Sequence, residues 1–143
     1  MANMFSSAID FNQNINDWDV SNVSKVIGMF HSAWSFNKPL DKWNLSKVED
    51  MQLMFWYASE FNQDISTWDV SNVTDMEKMF EAARKFNQDL SGWDTSSVYD
   101  AKTFCCNAES WSKPKPKFTK GQLGVQLGAN DYNEIADDPC IYC

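Results

Sequence analysis

The same residues return every 25 positions along this chain, and that period constrains the fold more than any other feature. Met4-Phe5 returns as Met29-Phe30, Met54-Phe55 and Met79-Phe80. Ala8 returns as Ala33, Ala58, Ala83 and Ala108, and Phe11 as Phe36, Phe61 and Phe86, then as Trp111. Trp18 returns as Trp43, Trp68 and Trp93, and Val23 as Val48, Val73 and Val98. Five parallel series without a slip of register exclude coincidence. A unit this small cannot bury its own apolar face, so stacked neighbours must share one core.

One unit runs from Ile65 to Asp89. Trp68-Asp69-Val70 alternates apolar and polar residues, which predicts a short strand. Met76, Met79, Phe80, Ala83 and Phe86 follow at spacings of three and four, which predicts a helix of about ten residues with one apolar face. Asn87-Gln88-Asp89 reads as the turn to the next strand. The expected fold is therefore α/β: a short solenoid of about four strand-helix units, with strands roughly 4.8 Å apart.

Two polar columns accompany the apolar ones. Asn12, Asn37, Asn62 and Asn87 follow the aromatic and suit a buried amide ladder that satisfies turn backbone groups, with ligand contact as the other reading. Ser21, Ser46, Ser71 and Ser96 suit turn or helix caps. The Phe and Trp columns suit the core rather than a stacking platform for bases.

The strings WDVSNV at Trp68–Val73, the Met79-Phe80 pair, Ala83 and Phe86-Asn-Gln-Asp-Leu-Ser91 resemble a 25-residue bacterial surface-protein repeat. That repeat is abundant in mycoplasma-type surface lipoproteins and occurs also in marine algae and other protists. It is similar to the BspA-like branch of the leucine-rich repeats. The resemblance covers residues 4 to about 111. It implies a leucine-rich-repeat-like interaction solenoid, often displayed on a cell surface, and carries no catalytic residue with it. Two departures stand out. The chain opens inside a unit, at the expected helix, which suggests either a fragment or an end covered by a partner. The last unit decays, with Phe104-Cys105-Cys106 where Met79-Phe80-Glu81 stands earlier and Ala101 in the place of Met76.

The chain has 143 residues, room for one domain. Twenty acidic against twelve basic residues give a net charge of −8, which argues against nucleic acid and anionic lipid as partners. No run approaches the roughly 20 apolar residues of a membrane span, and no signal peptide is visible. One His, no phosphate loop and no nucleophile elbow point away from an enzyme, and no cofactor is expected.

Residues 1–112 read as the repeat solenoid, 113–117 as a Lys/Pro spacer and 118–143 as an irregular tail. All four cysteines lie at or after the decayed unit. Cys105, Cys106, Cys140 and Cys143 suit one or two disulfides tying the tail to the stack, with free buried thiols or a four-thiolate zinc site as alternatives.

Three surfaces are candidates for binding. Asp19, Asp69 and Asp94, interrupted by Asn44, form an acidic column that offers weak calcium ligands or a site for a basic partner. His31, Trp34, Trp56 and Tyr57 sit where other units carry Glu81, Ala82 and Arg84, and exposed aromatics often mark an interface. Met4 and Phe5 face the open first end. The expected function is a non-enzymatic interaction or scaffold module, either an accessory subunit of a larger assembly or a surface-displayed, adhesin-like protein. A protein partner is expected, a glycan is a second option, and membrane association would come only through partners. The expected location is extracellular, cell-surface or organelle-lumenal.

Overall fold

The computed structural model describes residues 1–124. Its chain climbs in 25-residue rungs, 1–25, 26–50, 51–75 and 76–100, closed by 101–124. The rungs are not strand-helix units. The described residues contain no helix, and the only β pairing is a column of isolated parallel bridges, Lys25 to Asp50, Asp50 to Asp75 and Asp75 to Asp100. The expected α/β, leucine-rich-repeat-like architecture is therefore wrong.

Each rung is a succession of tight turns. In 51–75 the closing hydrogen bonds run from Met54 N–H to Met51 C=O, Ala58 to Phe55, Phe61 to Ala58, Trp68 to Ile65 and Val73 to Val70. Both ends of every one of these turns are buried. A turn brings its first and fourth residues together, so apolar residues three apart point inward with no helix behind them. The segment 76–86, expected as a helix, follows the same scheme.

The backbone shows why a helix is not formed. Alternate N–H groups leave the rung and donate to the next one. Val26, Gly28, Phe30 and Ser32 donate to the carbonyls of Asp50, Gln52, Met54 and Trp56 at 3.0, 2.8, 2.9 and 2.7 Å. A helix would turn those same donors back on its own chain. Aiming them outward requires left-handed residues at two places per rung: Gly28 and Ser32, Leu53 and Tyr57, Lys78 and Ala82, Thr103 and Asn107. The first of each pair is the third residue of one turn, and the second the third residue of another. Isolated residues adopt this conformation at about 1 kcal/mol or more, and each positions two turns that bury apolar residues.

Stacking rungs in register converts the sequence columns into ladders. Phe30, Phe55 and Phe80 lie face to face, with centroids 5.5 and 5.4 Å apart. Phe36, Phe61 and Phe86 do the same at 6.0 and 5.9 Å. Within a rung the two columns also stack, Phe55 on Phe61 at 4.0 Å. Trp43, Trp68 and Trp93 are buried, and each indole N–H donates to a carbonyl of the preceding rung: Ile15 at 3.0 Å, Leu40 at 3.0 Å and Ile65 at 3.2 Å. The tryptophan column thus fills the core and cross-links it at a buried polar atom that would otherwise be costly.

The last rung changes the packing. With Cys105 in the phenylalanine column, Phe104 enters from the methionine column and meets Phe80 edge-on at 5.4 Å. Trp111 meets Phe86 edge-on at 4.7 Å. The segment after Trp111 lies across this end. Leu90 N–H donates to Pro114 C=O at 3.0 Å, Thr95 Oγ1 to Lys117 C=O at 2.6 Å and Ala101 N–H to Gln122 C=O at 2.7 Å. Gln122 Nε2 donates to the carbonyls of Thr95 and Val98, and Phe118 packs on Phe104. Residues 113–122 therefore continue 101–112 over the second half of the 76–100 rung.

Candidate interaction surfaces

The asparagine column is a hydrogen-bond ladder made by side chains on backbone. Asn12 Oδ1 accepts the N–H of Asn37 at 3.0 Å, Asn37 that of Asn62 at 3.0 Å and Asn62 that of Asn87 at 2.8 Å. Asn87 closes the series by accepting from Ser112 and Lys113. The side-chain oxygens of these amides are committed to the stack.

The acidic column is committed locally as well. Asp19, Asp69 and Asp94 each accept the backbone N–H two residues on, from Ser21, Ser71 and Ser96. The hydroxyls of Ser21 and Ser71 donate to the same carboxylates at 2.6 Å. The serine hydroxyl first and its N–H second hold the carboxyls of Asp19, Asp69 and Asp94 below the usual range. Asn44 makes both bonds to Ser46 with its Oδ1, which explains why an amide can interrupt the column. Among the described residues no group of three or more His, Cys, Asp or Glu side chains could hold a metal ion.

Cys105 and Cys106 are buried and neither is a free thiol. No disulfide links two described residues, and the expected tie to the tail falls on residues outside them. Cys140 and Cys143 lie outside the described residues.

Three of the four side-surface aromatics come together. His31 stacks on Trp56 with centroids 4.6 Å apart, and Tyr57 tilts against Trp56 at 5.3 Å. Ser6 Oγ lies 3.1 Å from His31 Nδ1, and Lys78 Nζ stands 5.8 Å from the Trp56 ring. Partial burial pushes the His31 imidazole below its ordinary pKa. The Trp56 indole N–H is buried and has no hydrogen-bond partner among the described residues. Trp34 is 53% exposed on the neighbouring rung and makes no ring contact among the described residues. Tyr57 is 43% exposed and sits at φ 57°, a left-handed position filled in other rungs by Ser7, Ser32, Ala82 and Asn107. A bulky residue there is uncommon and strained. The period places Ser6, His31 and Trp56 in one column; the participation of Lys78 carries no such signal.

At the first end Met4 is 49% exposed and Phe5 partly buried against the core. No helix among the described residues is long and apolar enough to cross a membrane.

A family described as Mycoplasma protein of unknown function, DUF285, matches residues 1–69 and 29–123. Two overlapping matches are what a repeat gives when its register slides along its own copies. The match agrees with the resemblance to mycoplasma-type repeats and does not extend to the leucine-rich repeats. Neither curated proteins nor solved structures provide a match.

Proposed function

The chain belongs to this Mycoplasma DUF285 family of unknown function, and from that premise we propose a non-enzymatic protein-interaction module displayed at a cell surface. The observation that carries the reading is Tyr57. It is large, aromatic and exposed, and it holds a strained backbone position that every other rung gives to a small or polar residue. The fold needs a left-handed residue there but not a bulky aromatic one, and a large side chain kept at that cost suggests a binding role. Beside it stands Trp56, and Trp34 is exposed on the neighbouring rung. A protein partner with apolar surface for the exposed rings suits the patch. Aromatic side chains of this kind dominate interface energetics.

The test is a quantitative pull-down from native membranes with the whole chain and with a Trp34→Ser/Tyr57→Ser variant that melts at the same temperature. A loss of at least about tenfold in captured partner supports the reading. Equal capture by both proteins overturns it. Loss of capture after glycosidase treatment of the membranes, with protease treatment without effect, would move the assignment to an adhesin-like glycan binder.

A further inference from the structure

Two adjoining columns line a groove of about 520 Å³ that shares no residue with the aromatic patch. Asn22, Lys47 and Asn72 stand in one column, and Ser24, Glu49 and Thr74 in the other. Backbone bonds hold the second column in register. Glu49 N–H donates to Ser24 C=O at 2.9 Å, Thr74 to Glu49 at 2.8 Å and Tyr99 to Thr74 at 2.9 Å. Side chains brace the first column. Lys47 Nζ donates to Asn22 Oδ1 at 2.8 Å, and Asn72 Nδ2 to Ser46 C=O at 2.8 Å. Each bond uses one end of an amide and leaves the other end open. Among the described residues Asn22 Nδ2, Asn72 Oδ1, the Ser24 hydroxyl and the Glu49 carboxylate have no hydrogen-bond partner. Tyr99 stands next in the second column, one rung beyond Thr74. The other members of that column are Ser24, Glu49 and Thr74, so the stack does not require an aromatic there. At 67%, Tyr99 is the most exposed large hydrophobic residue among those described. Its hydroxyl donates to Asp75 Oδ2 at 3.3 Å, which tethers the ring without burying it.

We propose that this groove, with Tyr99 at its end, binds a neutral linear oligosaccharide laid along the stack. A sugar hydroxyl both donates and accepts, and the groove offers both kinds of group: donors on Asn22 and Lys47, acceptors on Asn72 and Glu49, and the Ser24 hydroxyl as either. The C–H face of a pyranose ring is apolar and packs on an exposed aromatic ring such as that of Tyr99. From Ser24 to Tyr99 the column spans rung spacings of roughly 4.8 Å, in all about the length of a trisaccharide. Other occupants fit less well. An added peptide strand would need free backbone groups, and those of the second column are bonded to one another. The charges of Lys47 and Glu49 offset each other, which disfavours an ionic ligand. No apolar side chain lines the groove for a lipid chain. The site stands independently of the protein-binding reading of Trp34 and Tyr57.

The test is an NMR titration of the isotope-labelled full chain with cellotriose, chitotriose, maltotriose and mannotriose in turn. At least one of these sugars should shift the amide signals of Asn22, Lys47, Asn72 and Tyr99 together and saturably, with a dissociation constant of about 1 mM or below. Tyr99→Ser and Glu49→Ala should each raise that constant at least about tenfold, with melting checked to confirm that both fold. If Tyr99→Ser does not fold, Glu49→Ala carries the test, because the Glu49 side chain is exposed and makes no hydrogen bond among the described residues. The Trp34→Ser/Tyr57→Ser variant should bind the sugar as the parent does, whatever becomes of the protein partner. No shift with any of the four sugars at about 10 mM overturns the proposal. So do shifts confined to His31, Trp34, Trp56 and Tyr57, and binding that neither groove variant weakens.

Discussion

Asn62 donates its backbone N–H to the side-chain oxygen of Asn37, 3.0 Å away and one rung earlier. The same oxygen accepts Gln63 Nε2 at 2.8 Å. One amide therefore holds two groups of the following rung, at a place where neighbouring backbones do not bond each other directly. Asn37→Ala should cost about 0.5–1.5 kcal/mol, because the site is only partly buried and water can answer the freed donors. Asn37→Asp keeps the acceptor and should cost less. Denaturant titration of the two variants checks the order.

The phenylalanine ladders make a larger prediction. Phe61 is fully buried and stacks on Phe36, Phe55 and Phe86. Phe61→Ala should destabilise by about 3–5 kcal/mol, since rungs held in register by backbone bonds cannot collapse into the cavity. Thr67→Ala, at an exposed turn position, should stay within about 0.5 kcal/mol. Equal losses in the two variants would contradict the register.

Gly28 tests the left-handed positions. It sits at φ 55°, and a Cβ there would run into the Asn3 side chain. Gly28→Ala should destabilise by about 1 kcal/mol, from backbone strain and the displaced amide together. Paired with Asn3→Ala, the loss should fall short of the sum of the two single variants, because the clash is then gone. Strict additivity would show that Asn3 does not occupy that space.

Acid should weaken the stack. Asp19, Asp64, Asp69, Asp89 and Asp94 all have carboxyls held below their ordinary value by serine hydroxyl and N–H donors. A depressed folded-state value gives stability that is present above the unfolded value, near 3.9, and lost as pH falls through the folded one. The melting temperature should therefore hold from neutral pH to about 5 and decline below about 4. Asp69→Asn keeps the turn, as Asn44 does, and should shallow that decline without changing the neutral melting temperature. An unchanged acid slope would remove Asp69 from the account.

Tyr57→Asn separates stability from binding. Asn tolerates the left-handed conformation better than Tyr, so stability should stay within about 1 kcal/mol of the parent or rise. Capture of the membrane partner should fall. A variant that melts lower and binds normally would make Tyr57 structural.

The period, the number of rungs and the identity of the core were legible in the sequence, because a column repeated every 25 residues can be buried only by stacking. The serine column was legible as turn chemistry, because a short polar side chain fixed in register beside a turn has backbone groups to satisfy; the asparagine column was legible as a ladder, but it is not buried and bridges rungs instead of serving turns. The local conformation was not legible. Met76, Met79, Phe80, Ala83 and Phe86 fit one face of a helix, and they fit equally the first and fourth positions of successive turns. What separates the two is the destination of alternate N–H groups: Met76, Lys78, Phe80 and Ala82 send theirs to Asp100, Lys102, Phe104 and Cys106. Those acceptors lie 24 residues away and exist only once the next rung is in place. The spacing of apolar residues follows from the sequence alone; the choice between helix and turn belonged to the stack, because only the neighbouring rung supplies the carbonyls that make the turns cheaper than the helix.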